Sequence, residues 1–148
     1  MTTVNRRQAL ALGAGALAVA ASIAPAHAAN DAADLIKTFT GGKAATEGKV
    51  KLDLPEIAEN GNTVPMTVSV ESPMTDASHV TDVLVVANEN PRSGVVTFHF
   101  SPASGVAEAN TRIRLAATQD VIAVAKMNDG SVFMASKQVK VTIGGCGG

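Results

Sequence analysis

From residue 50 to residue 143 the apolar side chains recur mostly at every second position, a period that confines this part of the chain to strands. Val50, Leu52 and Leu54 alternate with Lys51 and Asp53, and Val64, Met66, Val68 and Val70 with Pro65, Thr67, Ser69 and Glu71. Val96, Phe98 and Phe100 flank Thr97 and His99, while Ile113, Leu115 and Ala117 flank Arg112 and Arg114. Such alternation puts one face of each strand in a core and the other in water. The β-branched run 80–87 predicts a strand buried on both faces. Segments 121–125 and 132–143 complete the set, with Lys137 and Lys140 among the exposed positions. Asn60-Gly61-Asn62, Asn90-Pro91, Ser93-Gly94, Ser104-Gly105 and Asp129-Gly130 supply turns between the runs. About seven short strands at this spacing predict an all-β fold, an immunoglobulin-like antiparallel β-sandwich.

One segment has the helical period instead. Ala32, Leu35, Ile36 and Phe39 follow the i, i+3, i+4, i+7 spacing, which predicts a short N-terminal helix over 31–39. Asn30 or Asp31 is placed to cap it, and Gly41-Gly42 stops it. The chain has one cysteine, no Trp and no Tyr. The disulfide and tryptophan of antibody domains are therefore absent, and the sandwich has to hold without staples.

The N-terminus reads as an export signal. Arg6 and Arg7 precede a small-residue apolar run over 9–24, and Ala26-His27-Ala28 is a cleavage site of the A-x-A type. The arginine pair points to the twin-arginine route, with Asn5 and Ala9 departing from its usual pattern and the Sec route as the alternative. Residues 1–28 are the expected signal peptide, and the run is short of the ~20 residues a spanning helix needs. Its removal leaves 120 residues, enough for one domain, over 29–143, with the tail beyond it, and a soluble periplasmic protein. Ten basic residues then face 13 acidic ones, a net of −3. With no basic patch and little aromatic surface, nucleic acid is not an expected partner. No other stretch is apolar enough to hold the mature chain to a membrane.

At the other end stands Gly144-Gly145-Cys146-Gly147-Gly148. Glycines on both sides of a terminal thiol predict a flexible arm over 144–148, anchored where the last strand ends at Ile143. Extended, it would carry Cys146 roughly 10 Å from the folded body. No Lys, Arg or His lies within the tail, so the thiol has no local activator and an expected pKa near the free value of ~8.5. That suits a substrate carrier better than a nucleophilic catalyst. The bland alternative is an incidental cysteine or one that joins two chains by a disulfide.

The remaining candidates are weaker. His79 and His99 have no second ligand at useful spacing, and Met66, Met74, Met127 and Met134 read as core filler rather than a copper site. Asp53, Glu56 and Glu59 form no convincing acid–base pair. There is no nucleotide loop, no Ser/His/Asp set and no CxxC motif, so neither a metal nor an organic cofactor is expected.

The segment 139–148, with its terminal GGCGG, resembles the C-terminus of SoxY, the sulfur-carrier subunit of bacterial thiosulfate oxidation. Residues 52–61 with Val64-Pro65, Asn90-Pro91 and 98–102 also resemble that family. The resemblance implies an immunoglobulin-like sandwich that pairs with a SoxZ-type subunit. It makes Cys146 the site of covalent sulfur attachment and Gly144, Gly145, Gly147 and Gly148 a swinging arm. A SoxAX-type haem enzyme would load thiosulfate onto Cys146, a SoxB-type hydrolase would release sulfate, and a SoxCD-type sulfane dehydrogenase, where the organism has one, would oxidise the sulfur that stays. The chain itself would be a non-catalytic carrier. Two other readings stand beside this one: a ubiquitin-like carrier using the Gly147-Gly148 carboxylate, which an export signal opposes, and a structural sandwich that dimerises through Cys146.

Overall fold

The computed structural model describes residues 31–145. Its elements are helix α1 (Ala32–Thr40) and strands β1 (Thr46–Glu47), β2 (Val50–Asp53), β3 (Ile57–Ala58), β4 (Val64–Val70), β5 (Val80–Ala87), β6 (Gly94–His99), β7 (Ala107–Ile113), β8 (Gln119–Met127) and β9 (Val132–Val141). They form two sheets. The larger has the order β1-β9-β8-β5-β6, with β3 also pairing β9, and the smaller has the order β2-β4-β7. The β-sandwich expected from the period of two is the architecture observed.

Alternation decides which side chains fill the space between the sheets. Along β4, Val64, Met66, Val68 and Val70 are buried, while the outward positions are polar or Pro65. They pack with Leu52, Leu54, Val83, Val85, Ile113, Leu115, Val121 and Val139 in one core. No disulfide is needed, because each fully buried aliphatic side chain contributes roughly 1.5–3 kcal/mol.

The outer face of β5 is covered by α1. Ala32, Leu35, Ile36 and Phe39 pack on Leu84, Val86 and Ile122, which is why β5 is apolar on both faces. Gly41 ends the helix in the left-handed region (φ 64°), where a side chain would be strained. The N-terminal cap differs from expectation. The Asp31 side chain makes no cap bond; its Oδ1 accepts the Ser93 N–H at 3.2 Å, tying the helix start to the β5–β6 turn. Asn30 lies outside the described residues.

Three elements were not legible in the pattern. β1 and β3 are two-residue strands that run parallel to β9, one after the other along its length, at Phe133 and Met134 and at Lys140 and Val141. β7 begins at Ala107, before the apolar alternation at Arg112 starts, and ends at Ile113, so Leu115 and Ala117 lie beyond it. The segment Ala107-Glu108-Ala109-Asn110-Thr111 has little apolar contrast of its own. It is a strand because β4 pairs it in unbroken register, from Val64↔Ile113 to Val70↔Ala107. The last strand also stops two residues short of the expected Ile143.

Candidate functional site

β9 runs toward the glycine-rich C-terminus, and the loops around its end determine how that segment leaves the domain. Thr142 N–H donates to the Ala58 carbonyl (3.1 Å), and Thr142 Oγ1 to the Glu59 carbonyl (2.8 Å). The Gly61 N–H donates to the Ile143 carbonyl (2.7 Å), and the Gly145 N–H to the Leu115 carbonyl (2.9 Å). Leu115 N–H in turn donates to the Gly61 carbonyl (2.8 Å). Gly61 thus uses both of its backbone groups to join the tail to the loop after β7.

The approach is close enough to require glycine at three places. A Cβ on Gly61 would run into the Leu115 carbonyl oxygen and come within 2.8 Å of the Gly145 nitrogen. A Cβ on Gly145 would strike the Gly61–Asn62 peptide, and one on Gly144 the Ala116 carbonyl. The arm expected to begin after Ile143 is therefore seated on the domain as far as Gly145. Cys146, Gly147 and Gly148, like Arg6 and Arg7, lie outside the described residues.

Uncharged amides hold the seat in place. Asn60 Oδ1 accepts the Asn62 N–H at 2.9 Å, shaping the turn that carries Gly61. Asn90 Nδ2 donates to the Arg114 carbonyl (2.8 Å), and its Oδ1 accepts the Ala116 N–H and Gln119 Nε2, each at 2.9 Å. Gln119 is 3 % exposed and spends the rest of its amide on the Ala117 carbonyl (3.0 Å) and the Glu89 N–H (2.8 Å). Among the described residues no buried side-chain polar atom lacks a partner. Sequence reasoning saw Asn60-Gly61-Asn62 and Asn90-Pro91 as turns and as parts of SoxY-like segments, but not as a seat for the tail. Their asparagines, set beside the glycine tail, were the available signal for this seat.

Beside the seat the two sheets end in free edges, β6 and β7. A groove of about 430 Å³ lies between them, lined in part by Asn90, Gly94, Val96, Arg112 and Arg114. At the base of the tail Ile143 is two-thirds exposed (67 %).

The other candidates are placed elsewhere and stay apart. His99 Nδ1 pairs with Asp82 Oδ1 on the outer surface, and His79 Nδ1 lies 2.9 Å from the Thr75 carbonyl. Met66, Met74 and Met127 are core residues, and Met134 is half-buried. Asp53, Glu56 and Glu59 are exposed. Among the described residues no group of three or more His, Cys, Asp or Glu side chains could hold a metal ion, and no helix is long and apolar enough to cross a membrane.

Comparison with known proteins bears on this end of the molecule. The family model described as sulfur oxidation protein SoxY matches residues 36–146, a span that reaches the cysteine. Among solved structures, the sulfur carrier protein SoxY from Chlorobium limicola f thiosulfatophilum is similar, with 29% identity and a TM-score of 0.61 over 75% of this chain and 96% of that one. The superoxide reductase (neelaredoxin) of Ignicoccus hospitalis has a TM-score of 0.58 at 19% identity, covering 64% of this chain and 80% of its own. That of Nanoarchaeum equitans has a TM-score of 0.55 at 13% identity, covering 66% and 100%. At those identities the two reductases share the fold alone. No curated protein matches the chain by sequence.

Proposed function

The chain belongs to the SoxY family of sulfur oxidation proteins, and from that membership we propose that it carries sulfur intermediates covalently on Cys146 and presents them to partner enzymes. The observation that carries the reading is the seat of the C-terminal segment: the family match runs through Cys146, and the residues before it are hydrogen-bonded to a rigid sandwich. The similar Chlorobium protein is itself a sulfur carrier. A thiol that begins its excursion from a fixed point has a high effective concentration at any enzyme docked beside that point.

The chemistry follows from the thiol. In loading, thiosulfate joins the Cys146 sulfur to give Cys–S–S–SO₃⁻, and two electrons and the thiol proton leave to a haem-bearing partner of the SoxAX type. A hydrolase of the SoxB type then adds water across the terminal S–S bond, releasing hydrogen sulfate and leaving the persulfide Cys–S–SH. Where a sulfane dehydrogenase of the SoxCD type is present, three waters supply the oxygens that turn the persulfide anion into Cys–S–SO₃⁻, with six electrons and six protons released. A last hydrolysis returns the thiol. In none of these steps does the chain act as acid or base; it holds the substrate and leaves activation to the enzyme that receives it. The setting is the periplasm, reached through the Arg6-Arg7 signal, and the standing partner is a SoxZ-type subunit.

The test is Cys146→Ser. Thiosulfate turnover in a reconstituted system is expected to vanish while thermal unfolding is unchanged, and intact-mass spectra of the unaltered chain fed thiosulfate are expected to show reductant-sensitive sulfur additions on Cys146. Turnover that survives the substitution would favour a cysteine that merely joins two chains.

A further inference from the structure

All three arginines of residues 31–145 belong to the end of the sandwich where the tail leaves: Arg92 in the loop whose Asn90 ties down Arg114, and Arg112 and Arg114 along and just past β7. Arg112 and Arg114 alternate with the buried Ile113 and Leu115, so they share the outward face, about 7 Å apart along the strand. Arg112 Nη1 donates to Thr63 Oγ1 at 3.4 Å, which brings its guanidinium to the second residue past Gly61. Gly145 rests on the Gly61–Asn62 peptide, and its N–H is held by Leu115, the chain neighbour of Arg114. The Arg112 guanidinium thus stands beside the turn that carries the tail, Arg114 directly precedes the residue that accepts the tail's last described hydrogen bond, and both arginines line the groove between β6 and β7. The Cα of Cys146 follows about 3.8 Å beyond that of Gly145.

Neither guanidinium is neutralised by a carboxylate among the described residues. The one acid–base pair there is Asp82 with His99, and Glu59 and Glu89, the carboxylates of the adjoining loops, make no ion pair. A planar guanidinium fork matches the oxygens of a sulfonate or sulfate group.

We infer that Arg112 and Arg114 form an oxyanion cradle beside the exit of the arm, which draws anionic sulfur compounds to Cys146 and seats the sulfonate end of what it carries. The identity of that cargo rests on the carrier reading above; the charge preference at the cysteine does not.

Two thiol reagents of different charge separate the effects. Tetrathionate is an anion: the Cys146 thiolate attacks a central sulfur, forming Cys–S–S–SO₃⁻ and expelling thiosulfate with the electron pair of the broken S–S bond. Methyl methanethiosulfonate is neutral: the same thiolate takes its methylthio group and expels methanesulfinate. The chain has one cysteine, so the site of modification is unambiguous. Any change in thiolate fraction moves both rates, and their ratio isolates attraction of the anion. In the reduced full chain carrying Arg112→Gln with Arg114→Gln, the tetrathionate-to-neutral rate ratio is expected to fall about three- to tenfold at low salt. The loss is expected to disappear near 1 M salt, where screening acts over about 3 Å. An unchanged ratio overturns the cradle. So does an equal fall in a control with Lys37→Gln and Lys43→Gln, which removes the same charge elsewhere. Both arms run without partner enzymes, so failure of the carrier reading, seen as turnover that survives Cys146→Ser, is a separate result.

Discussion

The amide of Gly145 and the peptide of Gly61 lie against one another so closely that neither residue has room for a β-carbon, and both hydrogen-bond to Leu115. Gly61 is therefore the counterpart, inside the domain, of the glycines in the tail. In Gly61→Ala the added methyl meets backbone rather than a yielding side chain, and the bonds to Ile143 and Leu115 are strained with it. A cost of about 1–3 kcal/mol is expected, read as a fall of several degrees in Tm. Hydrogen exchange should quicken at the Gly145 N–H with the β5 and β8 amides still protected. Exchange at Gly145 already at the free-peptide rate in the unaltered chain would show that the seat does not hold in solution.

Asn90 carries the other side of the seat. Its amide makes three hydrogen bonds, to Arg114, Ala116 and the buried Gln119. Asn90→Ala leaves the Gln119 amide short of an acceptor in a place water hardly reaches, at a cost of about 1–3 kcal/mol. Asn90→Asp keeps the acceptor and loses the donor to Arg114, so it should retain part of the stability. Urea midpoints of the two variants order the effects; equal midpoints would mean that the Arg114 carbonyl bond carries the whole contribution.

At the far side of β5, Asp31 governs how the helix is held in acid. The Ser93 hydrogen bonds, side chain first and backbone second, hold its carboxyl below the ordinary value of 3.8. A carboxylate whose folded pKa is depressed contributes stability above the unfolded value, and loses it as pH falls through the folded one. Asp31→Asn should therefore lower Tm by a constant amount from neutral pH to about pH 5, with the gap closing below that. Because Asp31 is exposed and Asp129 is lowered in the same way by Ser131, only the difference between the two chains, not the whole acid transition, belongs to Asp31.

The sandwich could be read in advance because Val64 to Val70 and Val96 to Phe98 alternate and so state their own face, while the continuous run Val80 to Ala87 marks a strand covered on both. β7 could not, since Ala107 to Thr111 takes its conformation from β4, and β1 and β3 exist only because β9 offers them an edge. The tail shows the same limit in a sharper form. Glycine lacks a β-carbon, which both frees an isolated backbone and lets two backbones touch, and local sequence does not say which. Gly144 and Gly145 read as freedom; beside Gly61 and Ala116 the same missing atom permits contact. The arginines at the exit were visible as strand residues, but only the bond of Arg112 to Thr63 and that of Asn90 to the Arg114 carbonyl show that they lie at the end of the sandwich where the tail leaves.

The two glycine pairs of the tail should consequently answer differently to stiffening. Proline at 145 removes the N–H that donates to Leu115 and drives its ring toward Gly61, so Gly145→Pro attacks the seat. Proline at 147 touches none of the contacts made by residues 142–145 and only narrows the conformations open to the segment around Cys146. Gly145→Pro is expected to speed hydrogen exchange at the Gly61 N–H about tenfold or more, which corresponds to about 1.4 kcal/mol lost from the closed state. Gly147→Pro should leave that exchange rate and Tm alone. Turnover with partner enzymes should slow in both, in the first because the arm starts from an unfixed point, in the second because it bends less freely into a receiving channel. Full turnover in Gly147→Pro would argue against an arm that swings. Equal loosening of Gly61 by both prolines would mean that the segment past Gly145 is part of the seat, and that the pivot lies further along the chain than Cys146.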